Sequence, residues 1–170
     1  MPTQLIDPAL PVVECARVPI VACRPLEAAD EVIRLATGDL AHGIDVHLCN
    51  AYTIALADDD PVLLTILARA GLNFPDGKSV VWANRLRYWG RGLPSDRVYG
   101  PDLMLNVMDR GREHGLKHYL LGSTEPVLRG LEAALDQRYP GIDIVGVESP
   151  PFRPLTEDEW AEQAKRILQS

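Results

Sequence analysis

Chemistry-bearing residues in this chain gather at three turns, each of which follows a short apolar run. Phe74-Pro75-Asp76-Gly77-Lys78 is the most informative. Pro75 fixes its own φ and Gly77 accepts a positive one, so Asp76 is set at the end of a strand and the mouth of a helix. A carboxylate there can take a proton from an attacking hydroxyl, which suits glycosyl transfer. Capping the following helix is the other reading of Asp76, and caps are common. Asn50 ends an earlier apolar run in the same way. Its amide can donate to a sugar oxygen, or it can cap the helix that begins at Ala51. At the third turn, Leu121-Gly122-Ser123-Thr124, Gly122 and Ser123 can bring main-chain N–H groups close to a phosphate at a helix start. One glycine is not a dinucleotide fingerprint, and the alternative is a tight turn in which Ser123 or Thr124 caps the next helix.

Other charged clusters are read against the same background. Arg85, Arg87, Arg91 and Arg97 surround a Gly-rich loop with Tyr88, Trp89 and Tyr99. They can clamp a diphosphate by bidentate hydrogen bonds, rest on lipid headgroups, or simply face water. Asp58-Asp59-Asp60 contains a D-x-D, a metal-holding pattern, but Pro61 directly after it favours helix capping. The three cysteines (Cys15, Cys23, Cys49) include no C-x-x-C pair, and the four histidines lack ligand spacing. Neither a disulfide framework nor a structural metal site is expected.

Positioning these turns requires a regular scaffold, and the chain can build one. Its 170 residues suffice for a full core, and 46% of them are hydrophobic. The formal charge of -7 opposes non-specific binding to nucleic acid. No signal peptide is legible, and no apolar run approaches the ~20 residues of a membrane span. A cytoplasmic protein is expected, at most peripheral to the inner face of the membrane.

Residues 1–16 read as a flexible lead-in and 17–170 as one α/β domain. Strands are predicted over 17–23, 44–50, 72–74, 118–123 and the segment IDIVGVES. Helices are predicted over 26–36, 51–57, 61–70, 79–88, 101–113, 126–139 and from the capping box Thr156-Glu157-Asp158-Glu159 to Leu168. Strands alternating with helices imply a mostly parallel, Rossmann-like sheet with helices on both faces. Ligands of such sheets bind beyond the carboxyl ends of the strands, where the three turns lie.

The segments HLCNAYTIALADDDPVLLTILARAGLNFPDGKSVVWANRLRYWG, DRVYGPDLM, HYLLGS and YPGIDIVGVESPPF stand in an order and spacing that resembles the WecG/TagA/CpsF family of bacterial glycosyltransferases. The resemblance runs from about Arg17 to the end. It implies that Asp76 is the general base that deprotonates the acceptor hydroxyl, in an inverting displacement at the anomeric carbon. It implies no essential metal and no cofactor, a UDP-sugar being the substrate. Asn50 would help shape the donor-sugar pocket, and Arg97 would stand near the active cleft. Family donors include UDP-N-acetylmannosamine and its uronic acid. The family acceptor is N-acetylglucosamine on a polyprenyl diphosphate, at the inner membrane face.

Two departures from the family pattern matter. Leu48 stands where members often carry Thr, which removes a hydroxyl contact from the donor pocket. Members also continue into a further strand, a Gly-x-Pro-x-Gln-Glu segment and a C-terminal appendage used at the membrane. The domain is therefore expected to be truncated at the C-terminus, leaving a sheet edge that would favour a homo-oligomer. The alternatives are a non-catalytic α/β remnant or binding module that has lost the donor site, and a metal-dependent enzyme built on Asp58 and Asp60.

Overall fold

A computed structural model describes residues 6–7, 9–40, 42–69, 71–94 and 96–170. The chain divides into two compact units, Met1–Val107 and Met108–Ser170. The first contains β1 (Val12–Cys15), β2 (Val18–Val21), α1 (Pro25–Ala36), β3 (Val46–Cys49), α2 (Ala51–Asp59), α3 (Pro61–Arg69), β4 (Leu72–Pro75) and α4 (Lys78–Arg87). Helix α5 (Gly100–Gly111) runs across the division. The second contains a short 3-10 turn (Arg112–His114), β5 (Lys117–Leu121), α6 (Glu125–Arg138), β6 (Asp143–Glu148) and α7 (Glu157–Gln169).

The fold is α/β. Two strand pairs, β3–β4 and β5–β6, are parallel, and β1–β2 is an antiparallel hairpin. β1 lies inside the stretch expected to be a lead-in. Its turn is made by Ala16 (φ 47°) and Arg17 (φ 69°), both left-handed. Two-residue hairpin turns of this kind normally advertise themselves with Asn or Gly, so the hairpin left no signal. Arg17 is anchored at the turn by Asp58, whose main-chain oxygen accepts from its guanidinium at 3.0 Å. Residues 1–5 and 8 of the expected lead-in lie outside the described residues.

In the first unit, successive strand residues feed two apolar clusters. Val18, Ile20 and Ala22 join Cys49, Ile54, Ala57, Leu67 and Val80, which draws α2, α3 and α4 onto one face. Val21 and Cys23 join Leu72, Phe74, Ala28, Ala29, Leu35 and Leu103, which draws α1 and α5 onto the other. Alternation of side chains along a strand makes this division, and it puts helices on both faces as the sequence predicts. β4 is buried along its whole length and packs beside β2. Asn73, 2% exposed in the middle of β4, donates to Pro19 O on β2 at 2.9 Å and to Leu67 O in α3 at 2.8 Å.

In the second unit β5 and β6 pair in parallel, with a register shift between His118 and Tyr119. The Tyr119 ring lies so close over Gly146 that any Cβ there would sit 2.2 Å from it. The Tyr119 hydroxyl donates to Glu148 at 2.9 Å, Gln163 donates at 3.0 Å and Arg166 at 2.7 Å. α7 is thereby tied to β6, and its start carries the expected Thr156–Glu159 capping box. No helix among the described residues is long and apolar enough to cross a membrane.

Two predictions follow from this architecture. Arg166 first, then Gln163 and Tyr119, hold the Glu148 carboxyl down at about 2. A depressed carboxyl stabilises the fold above the unfolded value, near 4.3, and that stabilisation is lost as pH falls towards 2. Thermal unfolding by circular dichroism should therefore show Glu148→Gln less stable than the parent at pH 6, with a smaller further loss between pH 4.5 and 2. Parallel curves would remove Glu148 as the acid-sensitive tie. Gly77, at φ 148° and ψ 141°, leaves room for a side chain, since a Cβ would lie 3.7 Å from Ser79 Oγ and 3.8 Å from Asn50 Cβ. The cost of Gly77→Ala is then backbone strain, about 1–3 kcal/mol, read as a lower urea midpoint. An unchanged midpoint would show that the turn does not need glycine.

Candidate active site

The parallel register of β3 and β4 pairs Cys49 with Pro75, so the next residues, Asn50 and Asp76, leave the sheet side by side. The Asp76 N–H donates to Cys49 O at 2.9 Å, which carries the ladder one step past the strand end. The loop after α4 returns to the same edge. Asp96 N–H donates to Cys23 O at 3.3 Å and Val98 N–H to Pro75 O at 2.9 Å. Arg97, between them, is held against Asp76.

Asp76 does not cap α4. The cap residue is Gly77, which supplies no side-chain bond. Instead Asp76 Oδ1 accepts from Arg97 Nε at 3.3 Å, while Oδ2 accepts from no group among the described residues. The Asp76 side chain is 22% exposed, partly sheltered yet reachable. Arg97 is held from its other side by the Tyr99 ring, whose centroid lies 4.1 Å from the guanidinium carbon. One carboxylate oxygen is thus oriented and the other open, an arrangement that can receive a proton.

Asn50 does cap its helix. Its Oδ1 accepts from Thr53 N at 3.0 Å and from Thr53 Oγ1 at 3.3 Å, which fixes the side chain beside Gly77 and leaves Nδ2 as the group able to donate outward. Leu48 packs against the cluster of Phe74 and Leu72, with Gly100 beside it. The structure thus brings Asn50, Asp76 and Arg97 together at one sheet edge.

Gly122 and Ser123 form a turn in the second unit. Gly122 adopts φ 127° and Ser123 φ 59°. Gly122 N–H donates to Glu148 O at 3.0 Å, and the Ser123 carbonyl accepts from Ser149 Oγ at 2.8 Å. The cap residue of α6 is Thr124, and its side chain makes no cap bond. The capping expected of Ser123 or Thr124 is not made, and the first-turn N–H groups of α6 have no side-chain cap.

The remaining arginines do not converge on a clamp. Arg85 pairs with Asp96 at 3.3 Å, Arg87 lies 3.9 Å from Glu14, and Arg91 stacks over Tyr88 at 5.2 Å. The D-x-D is used as capping predicts: Asp60 Oδ1 accepts from Val62 N at 2.8 Å and from Leu63 N at 3.2 Å. Asp58 holds Arg17. No group of three or more metal-ligating side chains occurs among the described residues.

Sequence reasoning passed over Asn84. It is 3% exposed, neither atom of its amide has a hydrogen-bond partner, and it lines a cavity of about 510 Å³ with Ala22, Tyr88, Trp89 and Leu93. A polar residue on the Val80–Val81 face of a helix is the signal that marks it. Asn50, Asp76 and Arg97 do not line this cavity. Burial pushes the thiols of Cys23 and Cys49 up to about 12 and about 11, so both behave as packing residues.

A family model described as "Glycosyl transferase WecG/TagA/CpsF family" matches residues 13–170. The match takes in the hairpin, both parallel strand pairs and the edge that carries Asn50, Asp76 and Arg97, and the protein belongs to the WecG/TagA/CpsF family of glycosyltransferases.

Proposed function

We propose that the chain carries out an inverting transfer of a sugar such as N-acetylmannosamine, or its uronic acid, from UDP. The acceptor is a hydroxyl of N-acetylglucosamine on a lipid diphosphate, in cell-surface polysaccharide synthesis. The observation that supports this best is the Asp76 carboxylate, which stands at a strand end, is released from capping and is oriented through one oxygen by Arg97. In this reading the acceptor oxygen attacks the anomeric carbon as the bond to the UDP oxygen breaks. Asp76 Oδ2 takes the acceptor proton, and the electron pair departs with UDP. Asn50 Nδ2 donates to a donor-sugar oxygen. In the second unit the Ser123 N–H and the uncapped start of α6 favour negative charge, while the Gly122 N–H is taken by Glu148 O. Arg97 keeps Asp76 aimed and adds positive charge at the edge. No metal is assigned a role, since Asp58 and Asp60 are engaged by Arg17 and by the start of α3.

Asp76→Asn keeps the shape and removes the base. It should lower the transfer rate by about 10²–10⁴-fold while calorimetry shows UDP affinity unchanged, and the parent rate should persist in excess chelator. Transfer at the parent rate by the variant would remove Asp76 as base, whereas absence of UDP binding by the parent chain would favour a non-catalytic binding module.

A further inference from the structure

Two buried asparagines of the first unit have opposite fates. Asn73 spends its amide hydrogens on main-chain carbonyls. Asn84, 3% exposed, sits on the buried side of α4 with Val80 and Val81, and neither its Oδ1 nor its Nδ2 has a partner among the described residues. An amide kept from water with both ends unpaired is costly. Asn84 also lines a cavity of about 510 Å³, a size that suits a small organic ligand. Ala22, Tyr88, Trp89 and Leu93 make the neighbouring wall apolar and aromatic. The Tyr88 hydroxyl is engaged elsewhere, with Glu14 N and Glu14 O, each at 3.1 Å. Arg85, also in the wall, pairs with Asp96 at 3.3 Å.

We infer that this cavity binds a neutral, flat heterocycle through a lactam edge, an N–H beside a C=O. An asparagine amide presents a donor and an acceptor side by side, and a group that does the same in reverse order answers both at once. Open-chain secondary amides fail here, because the trans form sets N–H and C=O on opposite sides. A lactam ring locks them on one edge, and its flat faces suit walls such as Tyr88 and Trp89. The Arg85 guanidinium already faces Asp96, which favours a neutral ligand over an anion. Both amide atoms of Asn84 are shielded from water, so pairing requires the side chain to turn toward the cavity, and that turn breaks no hydrogen bond. Trp89 lies past the end of α4 and is 84% exposed, so its ring can close over a ligand without leaving the core. Asn50, Asp76 and Arg97 do not line this cavity, so the site does not rest on the transfer chemistry.

The test is calorimetric titration of the full chain with carbostyril, a flat bicyclic lactam, and with N-methylcarbostyril, which keeps the ring and the carbonyl but lacks the N–H. Carbostyril should bind, the methylated ring about tenfold more weakly, and saturating UDP should leave both affinities unchanged. Asn84→Leu keeps the volume and removes the unpaired amide. It should bind carbostyril about tenfold more weakly, with a urea midpoint equal to the parent's or higher. Trp89→Ser changes a side chain outside the core. It should weaken binding about fivefold and leave the circular dichroism spectrum unchanged. Equal affinity for the two rings, or parent affinity in either variant, would overturn the inference. So would absence of binding by the parent, which would leave the amide to an ordered water. Displacement by UDP would overturn it as well, by assigning the cavity to the base of the sugar donor.

Discussion

The carboxamide of Asn73 gives both its hydrogens to main-chain carbonyls from a position almost wholly removed from water, one on β2 and one at the end of α3. β4 has its parallel ladder on the β3 side, so the side chain supplies the tie on the β2 side. Each of those carbonyls would cost about 1–3 kcal/mol if left buried and unpaired, which makes the tie hard to replace by apolar packing. With β4 fixed between β2 and β3, the residue at its carboxyl end has nowhere else to emerge, and Asp76 inherits its place from an amide three residues earlier.

The turn after β4 then decides what Asp76 can do. A carboxylate caps a helix when it occupies the cap position itself, because only from there does it reach the second or third N–H. Gly77 occupies that position, in a conformation that side-chain-bearing residues rarely adopt, and this sets Asp76 one residue too early to cap. The carboxylate therefore turns to the loop, where Arg97 arrives because Asp96 and Val98 extend the edges of β2 and β4. Capping and outward display compete for the same carboxylate, and a single glycine keeps Asp76 from capping.

What was legible in the sequence follows the range of the forces involved. Helices announced themselves by periodicity and caps: Asp60 before Pro61, and Thr156 with Glu159, behave as their spacing predicts. Asn50 likewise caps as its position allows. The hairpin at Ala16–Arg17 stayed hidden because ordinary residues adopt left-handed angles there, and the compensating contact comes from Asp58, far along the chain. The Asp76–Arg97 pair spans 21 residues, and no local rule weighs such a contact against a cap. The strands other than β1 were found, but their assembly into an antiparallel hairpin and two parallel pairs depends on pairings that periodicity does not encode.

The arginines show the same division between local pattern and tertiary outcome. Read along the chain they form one patch, yet in space they are distributed: Arg97 to the candidate base, Arg85 to Asp96, and Arg87 and Arg91 around Tyr88. A diphosphate clamp would need guanidinium forks converging on one point, and these do not converge. One guanidinium orients a carboxylate at the sheet edge, and the others are spent on Asp96, Glu14 and the Tyr88 ring. Because α4 begins at the Gly77 turn and carries Asn84 on its buried side, a single ten-residue helix links the turn that aims Asp76 to the cavity that Asn84 lines.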